Sequence, residues 1–252
     1  MNVVYIFLFF ILGTVLGSFY NVVGFRLPIK EEIVIKRSHC PKCKHELRWY
    51  ELIPIISYII QGGKCRKCKG KISIFYPFVE LCSGVLFSVS FYSFGFSHQL
   101  IIACTLVSIL MIILVSDLNF MIIPDSVLVV ASIIIIITLL FATGIKDTLI
   151  AIGSGLLSFG VMYAIMKLGN LAFKRESLGG GDVKLMFISG LTLHPLLALF
   201  SIFLSSILAL PTSILLLHTN KEHVLPFGPF IALAILILYF MKIDITQVLS
   251  VL

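Results

Sequence analysis

Acidic side chains are scarce in this chain, 12 Asp and Glu among 252 residues, and two of them border long apolar runs. Asp117 follows Leu114-Val115-Ser116, and Asp182 follows Gly179-Gly180-Gly181. An acid costs roughly 2.5–3.5 kcal/mol at the centre of a membrane helix, so one placed near a membrane usually faces a cavity, a partner or a substrate. Two facing carboxylates repel when both are ionised, so one keeps its proton to higher pH. The ionised member can then activate a water while the protonated one polarises a carbonyl, which is the chemistry of aspartic proteolysis. No Ser/His pairing and no H-E-x-x-H motif offers a competing catalyst.

Each acid also has a plainer reading. Asp182 reads on spacing alone equally well as the N-cap of the following helix. Asp117 falls at the C-terminal end of a helix, where the dipole disfavours an anion, so a purely structural role fits it poorly. Asp125 follows Pro124 and precedes an apolar run, the position of an N-cap. Glu80 opens another run, where solvent or a helix N-terminus can satisfy it, or a site can use it. Gly179, Gly180 and Gly181 allow φ > 0 and close backbone approach, as a loop contacting an extended peptide requires.

The second constellation is Cys40-Pro41-Lys42-Cys43 and Cys65-Arg66-Lys67-Cys68, two C-x-x-C knuckles separated by 21 residues. Four thiolates fill the tetrahedral shell of a zinc ion, leaving no position for water, so the expected metal is structural. His39 and His45 read as solvated loop histidines. Cys82 and Cys104 lie inside apolar runs and read as small hydrophobes.

The elements that carry these residues are membrane spans. The chain is 59% hydrophobic and 12% charged, with a mean hydropathy of +1.11, more apolar surface than a soluble core uses. Apolar runs at 3–24, 77–96, 99–116, 126–143, 148–168, 196–217 and 227–241 read as spans of about 20 residues. The shorter run 183–193 reads as a tilted or broken eighth. The expected fold is all-α and polytopic, with about eight transmembrane helices. Its parts are a first span at 1–25, a basic zinc-binding loop at 26–75 and a multi-span core at 76–252.

The N-terminus lacks a basic signal region, so the first run reads as a retained span. Of the 19 Lys and Arg, twelve lie between Arg26 and Lys71. The positive-inside rule then places this loop in the cytoplasm and the N-terminus outside. Alternating the spans adds Lys167, Lys174, Arg175, Lys184 and Lys221 to the inner side, leaving Lys146 and Lys242 outside. This bias accounts for the net charge of +7 without nucleic acid. Both aspartates fall at cytoplasmic span ends, where folding could bring them together.

Gly17, Ser18 and Asn21 suit close helix packing, with substrate docking as the alternative. Trp49 to Tyr58 is too short to cross and suits the interface, where Trp and Tyr rings sit. His194-Pro195 breaks a helix, and Pro211 kinks one. His218 and His223 flank a short turn, and Pro226-Phe227-Gly228-Pro229 reads as a rigid turn opening the last span. No sequence repeat or low-complexity tail is evident.

Gly179-Gly180-Gly181-Asp182 fits a G-x-G-D motif, and Asp117-Leu118 with Ile123-Pro124-Asp125 fits its companion in the type IV prepilin peptidases, which this chain resembles. The resemblance extends to Gly17-Ser18-Phe19, Asn21, Arg26-Leu27-Pro28, both knuckles, Trp49, Ile53-Pro54, Ser57 and Tyr76-Pro77 with Glu80. It implies a bifunctional leader peptidase of the bacterial cytoplasmic membrane with Asp117 and Asp182 as its catalytic pair. Its substrates would be type IV prepilins and pilin-like secretion or competence proteins, cleaved after a Gly at the cytoplasmic face. The new N-terminus would then be methylated with S-adenosylmethionine. Phe75 departs from the family pattern, which commonly has Arg there, and no glycine-rich nucleotide loop marks a donor site. A peptidase without methylation, a cation-coupled transporter and a noncatalytic scaffold are the alternatives.

Overall fold

The computed structural model describes residues 3–33, 37–174, 178–218 and 225–242. Arg175 and Lys221, assigned above to the inner side, and His223, beside the short turn, lie outside the described residues. The chain divides into two compact units, Met1–Phe96 and Ser97–Leu252.

In the first unit, α1 (Val3–Arg26) packs along α3 (Phe75–Phe94). Small residues make this possible. A Cβ on Gly84 would fall 2.6 Å from Thr14 Cγ2, and one on Gly13 would fall 2.6 Å from the Ser83 carbonyl oxygen. The two backbones are therefore in contact, as small residues allow in membrane helices. Asn21 Nδ2 donates to the Tyr76 carbonyl across 3.2 Å, so Gly17 and Asn21 serve packing here. Close packing on α1 places α3 in the first compact unit. Between the two helices lie a 3₁₀ turn (Trp49–Glu51), the short α2 (Ile56–Ile60) and the two cysteine knuckles.

The second unit holds α4 (His98–Phe120), α5 (Asp125–Thr143), α6 (Ile145–Phe173), α7 (Gly180–Thr192), α8 (Pro195–His218) and α9 (Gly228–Met241). Of the long helices α4 is the most enclosed, with 72% of its most apolar stretch buried. It packs on α5 and α9, while α7 lies against α5, α6, α8 and α9. Pro195 starts α8 at the expected break after His194, and Pro211 lies inside that helix.

Among the described residues six helices, α1, α3, α4, α5, α6 and α8, are long and apolar enough to cross a membrane. The other two expected spans are shorter. Helices α7 and α9 have 13 and 14 residues, which rise only about 20 Å against roughly 30 Å of hydrocarbon. Among the described residues the elements follow the expected order, and α9 is a further apolar helix too short to span unaided.

Candidate active site and candidate metal centre

Asp117 lies in the last turn of α4, which closes at Met121 in the left-handed region (φ 54°), whose N–H donates to the Asp117 carbonyl. The unfavourable end of α4 is offset by another helix. Gly228 is the first residue of α9, and its N–H donates to Asp117 Oδ2 across 3.2 Å. The carboxylate thus takes one of the free donors at a helix N-terminus, the end that favours an anion.

Asp182 is arranged in a matching way. It is not the N-cap of α7, a place held by Gly179, but the third helical residue, and its carboxylate turns back to accept the Gly179 N–H. This is the return half of a capping box. Both acids are almost fully buried, Asp117 at 6% and Asp182 at 9% exposure. They are close enough for the charge on Asp117 to act on Asp182.

Ile123 joins the two halves of the site. A Cβ on Gly181 would lie 2.8 Å from Ile123 Cβ, and one on Gly228 would lie 2.7 Å from Ile123 Cδ1 and 3.0 Å from Asp117 Oδ2. Gly181 therefore leaves no room for a side chain, and a Cβ at Gly228 would push Ile123 and the Asp117 carboxylate aside. None of Gly179, Gly180 and Gly181 uses the positive φ that glycine allows. Gly180 differs from its neighbour, since a Cβ there would meet open space.

The remaining acids have other partners. Asp125 is the first residue of α5 with no cap hydrogen bond from the preceding residue, and both its oxygens take Lys184 Nζ at 2.7 Å. Its job is an exposed ion pair between α5 and α7 rather than the expected cap. Glu80, in the first unit, accepts the Ile55 N–H across 2.8 Å and is buried. Ile55 has φ 61° and ψ −52°, a strained conformation for a β-branched residue.

The four expected metal ligands converge. The sulfurs of Cys40, Cys43, Cys65 and Cys68 all lie within 4.8 Å of one another, with Cys40–Cys68 and Cys43–Cys65 at 3.9 Å. A tetrahedron of sulfurs about 2.3 Å from zinc has edges of about 3.8 Å, so the set fits that ion. Backbone N–H groups favour the thiolate at two of the four, whereas at Cys43 the His45 N–H is outweighed by burial and hydrogen bonding with the neighbouring cysteines, which push the thiol up to about 11. The Cys43 N–H foremost holds the Cys40 thiol down at about 7, and the Cys68 N–H lowers Cys65.

The two knuckles are structural copies, which corrects the reading of no repeat. Cys40 N–H donates to His45 O and Lys44 N–H to Cys40 O; Cys65 N–H donates to Gly70 O and Lys69 N–H to Cys65 O, all at 2.9 Å. Lys44 and Lys69 share φ 58°. The repeated motif, Cys-x-Lys-Cys-Lys, is too short to stand out except through its cysteines. His45 is not simply solvated, since its Nε2 lies 3.5 Å from Glu51 Oε2. His39 Nδ1 lies 3.4 Å from the Arg37 carbonyl.

The sequence motifs contain Gly228 and Ile123 but do not show that both belong to the aspartates' surroundings. Gly228 sits in the quoted Pro226-Phe227-Gly228-Pro229 turn, whose prolines announce a helix start but not what that start faces.

Comparison with known proteins divides the chain much as the coordinates do. The model of the bacterial peptidase A24 N-terminal domain matches residues 11–94, and that of the type IV leader peptidase family matches residues 104–214. The chain is 34% identical over 233 residues to a prepilin leader peptidase/N-methyltransferase of Bacillus subtilis (strain 168), covering 91% of this chain and 92% of that protein. It is 32% identical to the one of Stutzerimonas stutzeri, covering 89% and 86%. With the one of Vibrio cholerae it shares 30% identity, covering 95% and 98%. No solved structure matches. A chain with these two domain matches, and with identity of this level along nearly the whole length of such relatives, belongs to the type IV leader peptidase family.

Proposed function

We propose that this chain is a bifunctional membrane enzyme that removes the leader of type IV prepilins and pilin-like secretion or competence proteins, then methylates the new N-terminus. Relatives that match it over nearly their whole length carry both activities in their names. The observation that carries the cleavage reading is the pair of buried carboxylates, each held by the N-terminal N–H of a different helix and near enough to interact. Membership of a peptidase family answers the transporter and scaffold alternatives.

In this reading Asp117 and Asp182 share one proton. The ionised carboxylate takes a proton from water as the water oxygen bonds to the carbonyl carbon of the leader's last Gly. The carbonyl oxygen takes the proton held by the other carboxyl group. The tetrahedral species then collapses, the C–N bond breaks, and the amine leaves with a proton, giving a leader carboxylate and a new N-terminus. The donors at Gly228 and Gly179 hold both groups in place without a metal ligand between them. The open face of Gly180 is where the extended substrate backbone lies, with Gly179 and Gly181 beside it.

The parts identified for hydrolysis all lie in Ser97–Leu252, so we assign methylation to Met1–Phe96. S-adenosylmethionine supplies the methyl group. Cys40, Cys43, Cys65 and Cys68 hold a structural zinc ion in that unit, whose four-sulfur shell leaves no open position. In this reading the cysteine loop and the aspartates face the cytoplasm at the bacterial inner membrane and the N-terminus lies outside, which the charge bias supports.

The test is cleavage of a prepilin-type substrate by membranes carrying the wild type, Asp117→Asn or Asp182→Asn, with and without S-adenosylmethionine. Product masses are read in each case. Both variants should lose about 100- to 10,000-fold in rate, and the wild-type product should gain one methyl group only with the donor. Retained cleavage in either well-expressed variant overturns the pair.

A further inference from the structure

The cysteine loop carries features that neither hydrolysis nor metal binding uses. Trp49 is 78% exposed, and Ile56, Ile59 and Ile60 are 54%, 69% and 70% exposed. These side chains belong to the 3₁₀ turn and to α2, outside the helices that are long enough to cross a membrane. Beside them is a groove lined by Ile60, Gln61, Lys64, Cys65, Arg66 and Lys69. Lys64, Arg66 and Lys69 are exposed, and among the described residues no carboxylate pairs with any of them. Over residues 26–71 twelve cations face only four acids, Glu31, Glu32, Glu46 and Glu51.

The apolar and cationic parts form one surface. Arg66 lies over the Tyr50 ring, 5.0 Å from its centroid, and Trp49 meets Tyr50 edge to face. Tyr58 of α2 packs under Gly63, where an added Cβ would lie 2.9 Å from the hydroxyl, and Gly63 O accepts the Ile72 N–H that closes the second knuckle. The second knuckle is therefore fixed to the apolar segment at two points.

We infer that this face is a membrane-docking surface for anionic phospholipid: Trp49, Ile56, Ile59 and Ile60 enter the acyl boundary, while Lys64, Arg66 and Lys69 hold a lipid phosphate in the groove. Charge complementarity and a chain already anchored in a bilayer select this occupant. Apolar side chains that sink below cations at headgroup level are the arrangement by which interfacial segments bind acidic membranes. Docking holds the four-cysteine loop flat on the lipid. The inference rests on the membrane placement of the chain and not on the peptidase reading.

Trp49 is the sole tryptophan of the chain, so its fluorescence reports this surface alone. The full chain is placed in neutral detergent, in phosphatidylcholine nanodiscs and in nanodiscs with increasing phosphatidylglycerol. In anionic discs Trp49 emission should shift to shorter wavelength, acrylamide quenching should fall severalfold, and lipids brominated on the acyl chain should quench it. Lys64→Gln, Arg66→Gln and Lys69→Gln should each weaken the phosphatidylglycerol dependence about fivefold. Ile59→Asn with Ile60→Asn should abolish bromolipid quenching. Zinc content shows whether each variant keeps its knuckles. The Lys64→Gln/Lys69→Gln pair, which leaves Arg66 on Tyr50, serves if Arg66→Gln loses metal.

Three results overturn the inference. One is a Trp49 equally open to acrylamide in detergent and in anionic discs. Another is inorganic phosphate in detergent reproducing the full effect of phosphatidylglycerol, which makes the groove a free-phosphate site. The third is protection that tracks protein concentration without lipid, which makes the surface an interface between copies of the chain.

Discussion

The N–H of Gly228 donates to Asp117 Oδ2 across 3.2 Å, joining residues 111 positions apart in the chain. One hydrogen bond thus sets the N-terminus of α9 against a carboxylate at the C-terminal end of α4. It gives an acid in an unfavourable helical position a favourable electrostatic partner.

Glycine positions around the pair should separate cleanly by mutation. Gly228→Ala forces a methyl group against Ile123 Cδ1 at 2.7 Å and Asp117 Oδ2 at 3.0 Å. It should cost about 1–3 kcal/mol of stability and most of the cleavage rate. Gly180→Ala meets open space, so folding should be unimpaired while a substrate backbone lying there is displaced. Melting temperature in detergent, measured beside prepilin cleavage, checks both. Equal stability losses in the two variants would sink the packing argument.

The Asp125–Lys184 ion pair is exposed, with side chains 65% and 49% accessible. Asp125→Asn, Lys184→Met and the double variant should therefore give a coupling energy under about 1 kcal/mol. Cleavage should persist in all three. A loss comparable with that of Asp117→Asn would return Asp125 to the active site.

Removing half of the sulfur cluster should empty it. Cys40→Ser with Cys43→Ser leaves two ligands, so purified protein should lose its zinc and fold in lower yield. Cys82→Ser and Cys104→Ser, on α3 and α4, should leave zinc content unchanged. Metal analysis of the purified proteins decides, and unaltered zinc in the double variant would refute the four-cysteine assignment.

Glu80 fastens a strained turn. Its Oε2 takes the N–H of Ile55, which has φ 61°. Glu80→Ala strands that donor and should cost about 1–3 kcal/mol. Glu80→Gln keeps an acceptor and should cost less. Limited proteolysis across residues 49–60 should rise in the first variant alone; identical cleavage patterns in both would show that Glu80 does not hold the turn.

The apolar runs of α1, α3, α4, α5, α6 and α8 and the two cysteine knuckles were legible in the chain, because hydropathy over some twenty residues and C-x-x-C spacing are local properties. Both aspartates were legible too, since an acid bordering an apolar run is conspicuous wherever the run folds. Their surroundings were not. Asp182 lies third in α7 because the helix starts one residue after Gly179. That Asp125 pairs with Lys184 and that α3 packs on α1 depend on contacts between distant segments. Gly228 shows this most plainly. Its local signal is a proline-flanked helix start, and only the packing of α9 on α4 turns its free N–H into a donor for Asp117, since backbone donors are directed at whatever the tertiary fold places before them.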